Sequence, residues 1–165
     1  MKIQFIALFS LTFLMALCPA GDWPKFRGPA GDGNAGVKSL PLQWSATENV
    51  RWKIPVPGKG WSSPVMAGGR IYLTTAVASG NDQDANGVDR ELRALCLEST
   101  SGKIVWDTVI FRQEGKGAPR IHKKNSHASP TPIIEGGRVY VHFGHMGTAC
   151  LDLSDKVMWR QDELS

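Results

Sequence analysis

Trp52, Trp106 and Trp159 each close a short β-branched run, and they fall 54 and 53 residues apart. A fixed period of roughly 50 residues in a strand-rich chain restricts the fold to an array of units that bury their apolar faces against one another. The match extends beyond tryptophan. Ser63-Pro64-Val65-Met66-Ala67-Gly68-Gly69-Arg70-Ile71-Tyr72-Leu73 recurs as Thr131-Pro132-Ile133-Ile134-Glu135-Gly136-Gly137-Arg138-Val139-Tyr140-Val141. Gly68-Gly69 and Gly136-Gly137 supply the positive φ of tight hairpin turns, and the β-branched and aromatic runs after them suit strand interiors. Each unit reads as four strands, at about 62–67, 70–77, 92–98 and 103–110, then at about 129–135, 138–144, 147–153 and 156–162. No stretch after residue 20 sustains a 3.6-residue period, which excludes a helical repeat. The predicted class is all-β, a β-propeller of four-stranded antiparallel blades.

Residues 1–20 read as a signal peptide: Lys2 precedes a run that is apolar from Ile3 to Leu17 apart from Gln4, Ser10 and Thr12, and Cys18-Pro19-Ala20 forms a small-residue cleavage site. That places the protein outside the cytoplasm, in a periplasm or the extracellular space, with no transmembrane span in the mature chain. Leu17 ahead of Cys18 disfavours lipid attachment at that cysteine. Loss of Lys2 takes the formal charge from +4 to +3, a mild excess that excludes a nucleic-acid partner. Cys96 and Cys150 lie 54 residues apart, at matching positions of successive units. Matching strands of neighbouring units are too far apart for a disulfide, so both are predicted free and buried.

Ala94-Leu95-Cys96-Leu97-Glu98 with Ser101-Gly102-Lys103-Ile104-Val105-Trp106, and Ala149-Cys150-Leu151-Asp152-Leu153 with Lys156-Val157-Met158-Trp159, resemble the pyrroloquinoline-quinone-like (PQQ-like) β-propeller repeats. Blades of that family end in an Ala-Leu-Asp-like run, a Thr-Gly-Lys turn and a strand carrying tryptophan. The second copy has Asp155 where the turn glycine belongs. Asp22-Trp23-Pro24-Lys25-Phe26-Arg27-Gly28-Pro29 is similar to the start of exported bacterial members. The resemblance covers residues 22–165. It divides the chain into a signal peptide (1–20), an N-terminal extension (21–48) and a partial propeller (49–165). Within the last lie an outer strand at 49–57 and blades at 61–110 and 128–162. The family typically closes a ring of about seven or eight blades. The resemblance therefore implies a truncated product, whose ring would be completed by missing blades or by self-association.

Blade connectivity gathers the long insertions 78–91 and 112–126 on one face, joined by Pro57-Gly58-Lys59-Gly60-Trp61. The first insertion carries Asp82, Asp84, Asn86 and Asp89, an alternation of oxygen ligands followed by glycine that suits a Ca²⁺ loop. An EF-hand would place Glu where Arg93 stands, and a solvated acidic turn is the plainer reading. The second insertion is basic. With Lys59, it makes Arg112, Lys116, Arg120, His122, Lys123, Lys124 and His127 candidates for binding an acidic partner. His122, His127, His142 and His145 complete no recognisable metal set. No nucleophile or phosphate-loop motif is present.

The leading functional expectation is an exported, non-catalytic scaffold or binding module that presents its loop face to a protein or glycan. The propeller component of the outer-membrane barrel-assembly machinery is an analogous scaffold. One alternative is a fragment of a quinoprotein (PQQ-dependent) dehydrogenase-like enzyme. The resemblance implies that such enzymes hold the quinone between a tryptophan and a disulfide of adjacent cysteines, and no Cys-Cys pair occurs here. No cofactor is therefore predicted. A second alternative is a calcium-stabilised structural module at Asp82, Asp84 and Asn86.

Overall fold

A computed structural model describes residues 21–37, 39–81, 83 and 86–162. The expected signal peptide lies outside the described residues. Two four-stranded antiparallel sheets follow in chain order, and no closed ring is formed. The first holds β1 (Val65–Ala67), β2 (Arg70–Ala78), β3 (Arg90–Glu98) and β4 (Ile104–Gln113); the second holds β5 (Ile133–Glu135), β6 (Arg138–His142), β7 (Thr148–Asp152) and β8 (Val157–Gln161). A 3₁₀ turn at Gly144–Met146 links β6 to β7. Each is the meander of a propeller blade.

The innermost strands are shorter than the sequence suggests. Pro64 and Pro132 immediately precede β1 and β5, and a proline has no N–H to offer the ladder. β3 and β4 run further than expected, to Arg90 and Gln113, which pair with each other. Gly68 and Gly69 (φ +56° and +73°) and Gly136 and Gly137 (φ +56° and +71°) make the two inner hairpins, as hairpins of right-handed twist require.

Tyr72, Ala76, Leu92, Ala94, Cys96 and Trp106 of the first sheet pack against Val139, Val141, Phe143, Ala149 and Leu151 of the second. These side chains alternate along their strands, so one face of each sheet makes the joint core. Cys96 and Cys150 are free and buried, in separate sheets. Both outer strands carry the same bulge. Register slips between Cys96 and Leu97 and between Cys150 and Leu151. The residues skipped are Val105 and Met158, and both are exposed.

Tryptophan locks successive units together. The Trp106 indole N–H donates to the Leu153 carbonyl of the second blade at 3.2 Å. Trp52 makes the equivalent bond to Ser99 of the first blade at 2.9 Å, again 47 residues away. Residues 49–57 nonetheless differ from the outer strand expected there. They join no sheet, because an outer strand needs inner strands to pair with and no described strand lies beside it. Trp52 instead lies flat on Gly102, where a Cβ would come within 2.5 Å of the indole. The N-terminal segment also ties the blades at their inner edges: Trp23 exchanges two backbone bonds with Met66, and Ile134 donates to the Pro24 carbonyl.

Candidate binding face between the long loops

In an antiparallel meander, the β2–β3 loop and the β4–β5 connection leave from the end opposite the hairpin turns. Here these are residues 79–89 and 114–132, and residues 57–61 run beside them. β1 pairs only with the first residues of β2, so the rest of that edge is free for another segment. The 57–61 link takes it. Lys59 and Ala76 exchange backbone bonds of 2.9 Å in both directions, and Thr75 Oγ1 donates to the Pro57 carbonyl at 2.6 Å. Such close approach needs glycine: a Cβ on Gly58 or Gly60 would stand 2.3 Å from the Ala76 or Thr74 carbonyl oxygen.

The loops are tied to each other as well. Gly115 N–H donates to Asp89 Oδ1 at 2.8 Å, Ser79 N–H donates to the Asp89 carbonyl, and Trp61 N–H donates to the Ala128 carbonyl. Two polar side chains lie beneath them at the blade top, Arg90 (6 % exposed) and Gln113 (3 %). Arg90 Nη1 donates to the Val88 carbonyl at 3.0 Å. Gln113 Nε2 meets His145 Nε2 at 3.2 Å, while Gln113 Oε1 is buried without a hydrogen-bond partner.

His127 sits where three depressions meet. One of about 110 Å³ is lined by Lys59, Trp61, Asn86 and Lys123 as well as His127. A second, of about 230 Å³, continues to Gln113, Asn125 and His145. A third, of about 220 Å³, reaches Arg90, Pro119 and Arg120. Burial first, then the Arg90 charge and then His145, hold the His127 imidazole below its ordinary pKa.

The structure thus brings together Lys59, Arg120, Lys123 and His127 of the expected partner-binding residues. Arg112 is diverted to an ion pair with Glu91, which Arg93 also engages; Arg93 reaches Asp107 at 2.9 Å. Hydrogen bonding from Arg93, and then from Arg112, holds the Glu91 carboxyl below its usual range against the opposing effect of desolvation. Lys116, His122 and Lys124 are exposed on the same loop, where His122 Nδ1 accepts from Lys124 N–H. Of the expected calcium ligands, Asp82 and Asp84 lie outside the described residues. Asn86 lines the cleft, and Asp89 Oδ1 is engaged by Gly115. Among the described residues no group of three or more His, Cys, Asp or Glu is placed to hold a metal ion.

Trp61, Arg90, Gln113, Asn125 and His145 were not among the sequence candidates. Arg90 and Gln113 are the terminal residues of β3 and β4, which extend into segments whose polarity reads as loop. The one available signal was that each directly borders a strongly β-forming run.

Cys96 and Cys150 are buried in different sheets, and neither forms a disulfide. No helix among the described residues is long and apolar enough to cross a membrane.

Residues 41–161 match the profile of the PQQ-like repeat family described as outer membrane protein assembly factor BamB. The chain belongs to this family. It is also 27% identical over 129 residues to a protein of Lymantria dispar cypovirus 1 (isolate Rao) named "Putative structural protein VP5". That match covers 70% of this chain and 27% of the viral protein, so the chain spans about a quarter of that relative's length.

Proposed function

We propose that this PQQ-like repeat protein is an exported, non-catalytic propeller-type scaffold whose loop face receives a protein or glycan partner. The observation that carries this reading is the joining of residues 57–61, 86–89 and 114–132 into one surface around a recessed polar cleft. Long loops held by a rigid sheet are where binding residues concentrate. The cleft is lined by Lys123, with Arg120 beside the adjoining depression, which favours a partner bearing negative charge. The names of the family profile and of the viral relative describe an assembly factor and a structural protein, in keeping with a holding role. Export rests on the signal-like residues 1–20.

The test is site-directed photo-crosslinking in cells that export the chain. A photoreactive residue at Arg120 or Lys123 should capture the partner. The same residue at Thr100 or Glu135, exposed beside the hairpin turns at the opposite end of the blades, should not. Equal capture from both ends, or capture from the hairpins alone, overturns the assignment of the loop face.

A further inference from the structure

We propose that the cleft beside Trp61 binds an acidic oligosaccharide built from uronic-acid units. A pyranose face would stack on the Trp61 indole, and a carboxylate would lie against His127 and Lys123. The proposal rests on the loop face being the binding surface and names its ligand class.

Trp61 is 59 % exposed, yet its backbone is fixed on both sides. Its N–H donates to the Ala128 carbonyl, and the preceding Gly60 lies against the Thr74 carbonyl. A large indole standing in solvent on an anchored backbone, with polar groups around it, is the arrangement of a binding platform rather than of a core residue. The C–H face of a pyranose is a flat apolar surface of similar size, and its rim is hydroxylated.

The polar groups of the cleft match that rim. The side-chain amides of Asn86 and Asn125 line it, and neither makes a hydrogen bond within the described residues. An amide both donates and accepts, as hydroxyl groups do. Gln113 adds an independent requirement. Its Oε1 is buried without a donor in the wall shared with His127 and Asn125, and a buried acceptor gains most from a ligand that brings a proton. A hydroxyl supplies one, whereas a fully ionised sulfate cannot.

The Lys123 ammonium favours an acidic sugar over a neutral one. Lys123 and His127 come from the β4–β5 connection, Arg90 from the start of β3, and His145 from the 3₁₀ turn. Among the described residues, the carboxylates Asp89, Glu91 and Glu114 line an adjoining cavity that shares Arg90 and Gln113 with these depressions; there Arg112 pairs with Glu91 and Gly115 engages Asp89. Arg90 and His145 both oppose protonation of His127. A carboxylate placed between them would reverse that effect and favour the imidazolium.

The experiment is titration of the mature chain with tetragalacturonate, a neutral galactose tetramer and tetraglutamate, followed by calorimetry and by NMR of the Trp61 indole and His127 ring. Tetragalacturonate should shift both sets of signals and raise the pKa of His127. Trp61→Ala should weaken binding at least about tenfold. Lys123→Gln should reduce the preference for acidic over neutral sugar while leaving the Trp61 shift in place. If Trp61→Ala fails to fold, the map of shifted signals in the wild-type chain decides. Absence of binding, shifts centred away from Trp61 and His127, or equally tight tetraglutamate binding overturns the proposal. Should the sugar fail while crosslinks from positions 120 and 123 persist, the sugar assignment falls and the loop-face reading stands.

Discussion

The two blades carry the same cross-strand row, Val65–Tyr72–Cys96–Trp106 in the first and Ile133–Tyr140–Cys150–Trp159 in the second. Locally the rows are nearly superimposable. Tyr72 and Trp106 have ring centroids 5.9 Å apart and planes at 53°, against 6.2 Å and 52° for Tyr140 and Trp159. Their surroundings differ. Trp106 is 9 % exposed and Val65 fully buried, while Trp159 is 42 % and Ile133 46 % exposed. The first row faces the second sheet and its tryptophan bonds to Leu153; no described element covers the second. Strand pairing and aromatic geometry are therefore built within a blade. The burial that stabilises the array comes from the neighbour.

Four substitutions or pairs would break or sharpen this contrast. The largest effect is expected at tryptophan. Trp106→Ala should destabilise by about 3–5 kcal/mol, and Trp159→Ala by less than about 1.5 kcal/mol because its ring is already half in water. Equal losses in denaturant titrations would mean that the two rows are energetically alike. At the outer turns, Gly102→Ala should destabilise by about 2–3 kcal/mol. The substituted residue would hold φ near +74° with a Cβ 2.5 Å from Trp52. Asp155 occupies the equivalent turn at φ +85°, so Asp155→Gly should relieve strain and stabilise by about 0.5 kcal/mol.

Burial, then Cys96, push the Tyr72 phenol up to about 12. Between pH 10 and 12 the unfolded chain ionises this group and the folded chain does not, so stability falls as pH rises through that window. Tyr72→Phe should flatten the slope, recovering about 1 kcal/mol near pH 11. His127 works in the opposite direction. Its folded pKa is lowered, so the unfolded chain takes up the proton first as pH falls below about 6.5, and stability is lost on acidification. His127→Asn should reduce that acid-side loss by less than about 1 kcal/mol, and an unchanged pH profile would place the ring in an open environment.

Much of the fold was legible because it depends on short-range pattern. Gly68-Gly69 and Gly136-Gly137 announce hairpins through the φ they require, and the 54-residue spacing of Cys96 and Cys150 puts them in equivalent strands. The binding face was legible only in part. The basic loop was visible, but Arg112 is turned away by Glu91, a partner in register across β3 and β4. Gln113 and His145 lie 32 residues apart and meet only when the second sheet packs on the first.

By itself, then, the sequence determined the class of the protein, the order of its strands, the four-strand unit and the free, buried state of Cys96 and Cys150. Those follow from alternation and turn chemistry, which are local, and from a repeat period that can be read along the chain. Only the tertiary structure decided which of two matching tryptophans is buried, how residues 49–57 dock without pairing, and where Trp61, Asn125, His127 and Gln113 come to line adjoining depressions. Burial and clefts are made by segments distant in the chain, and local patterning carries no record of which distant segment will cover a given face.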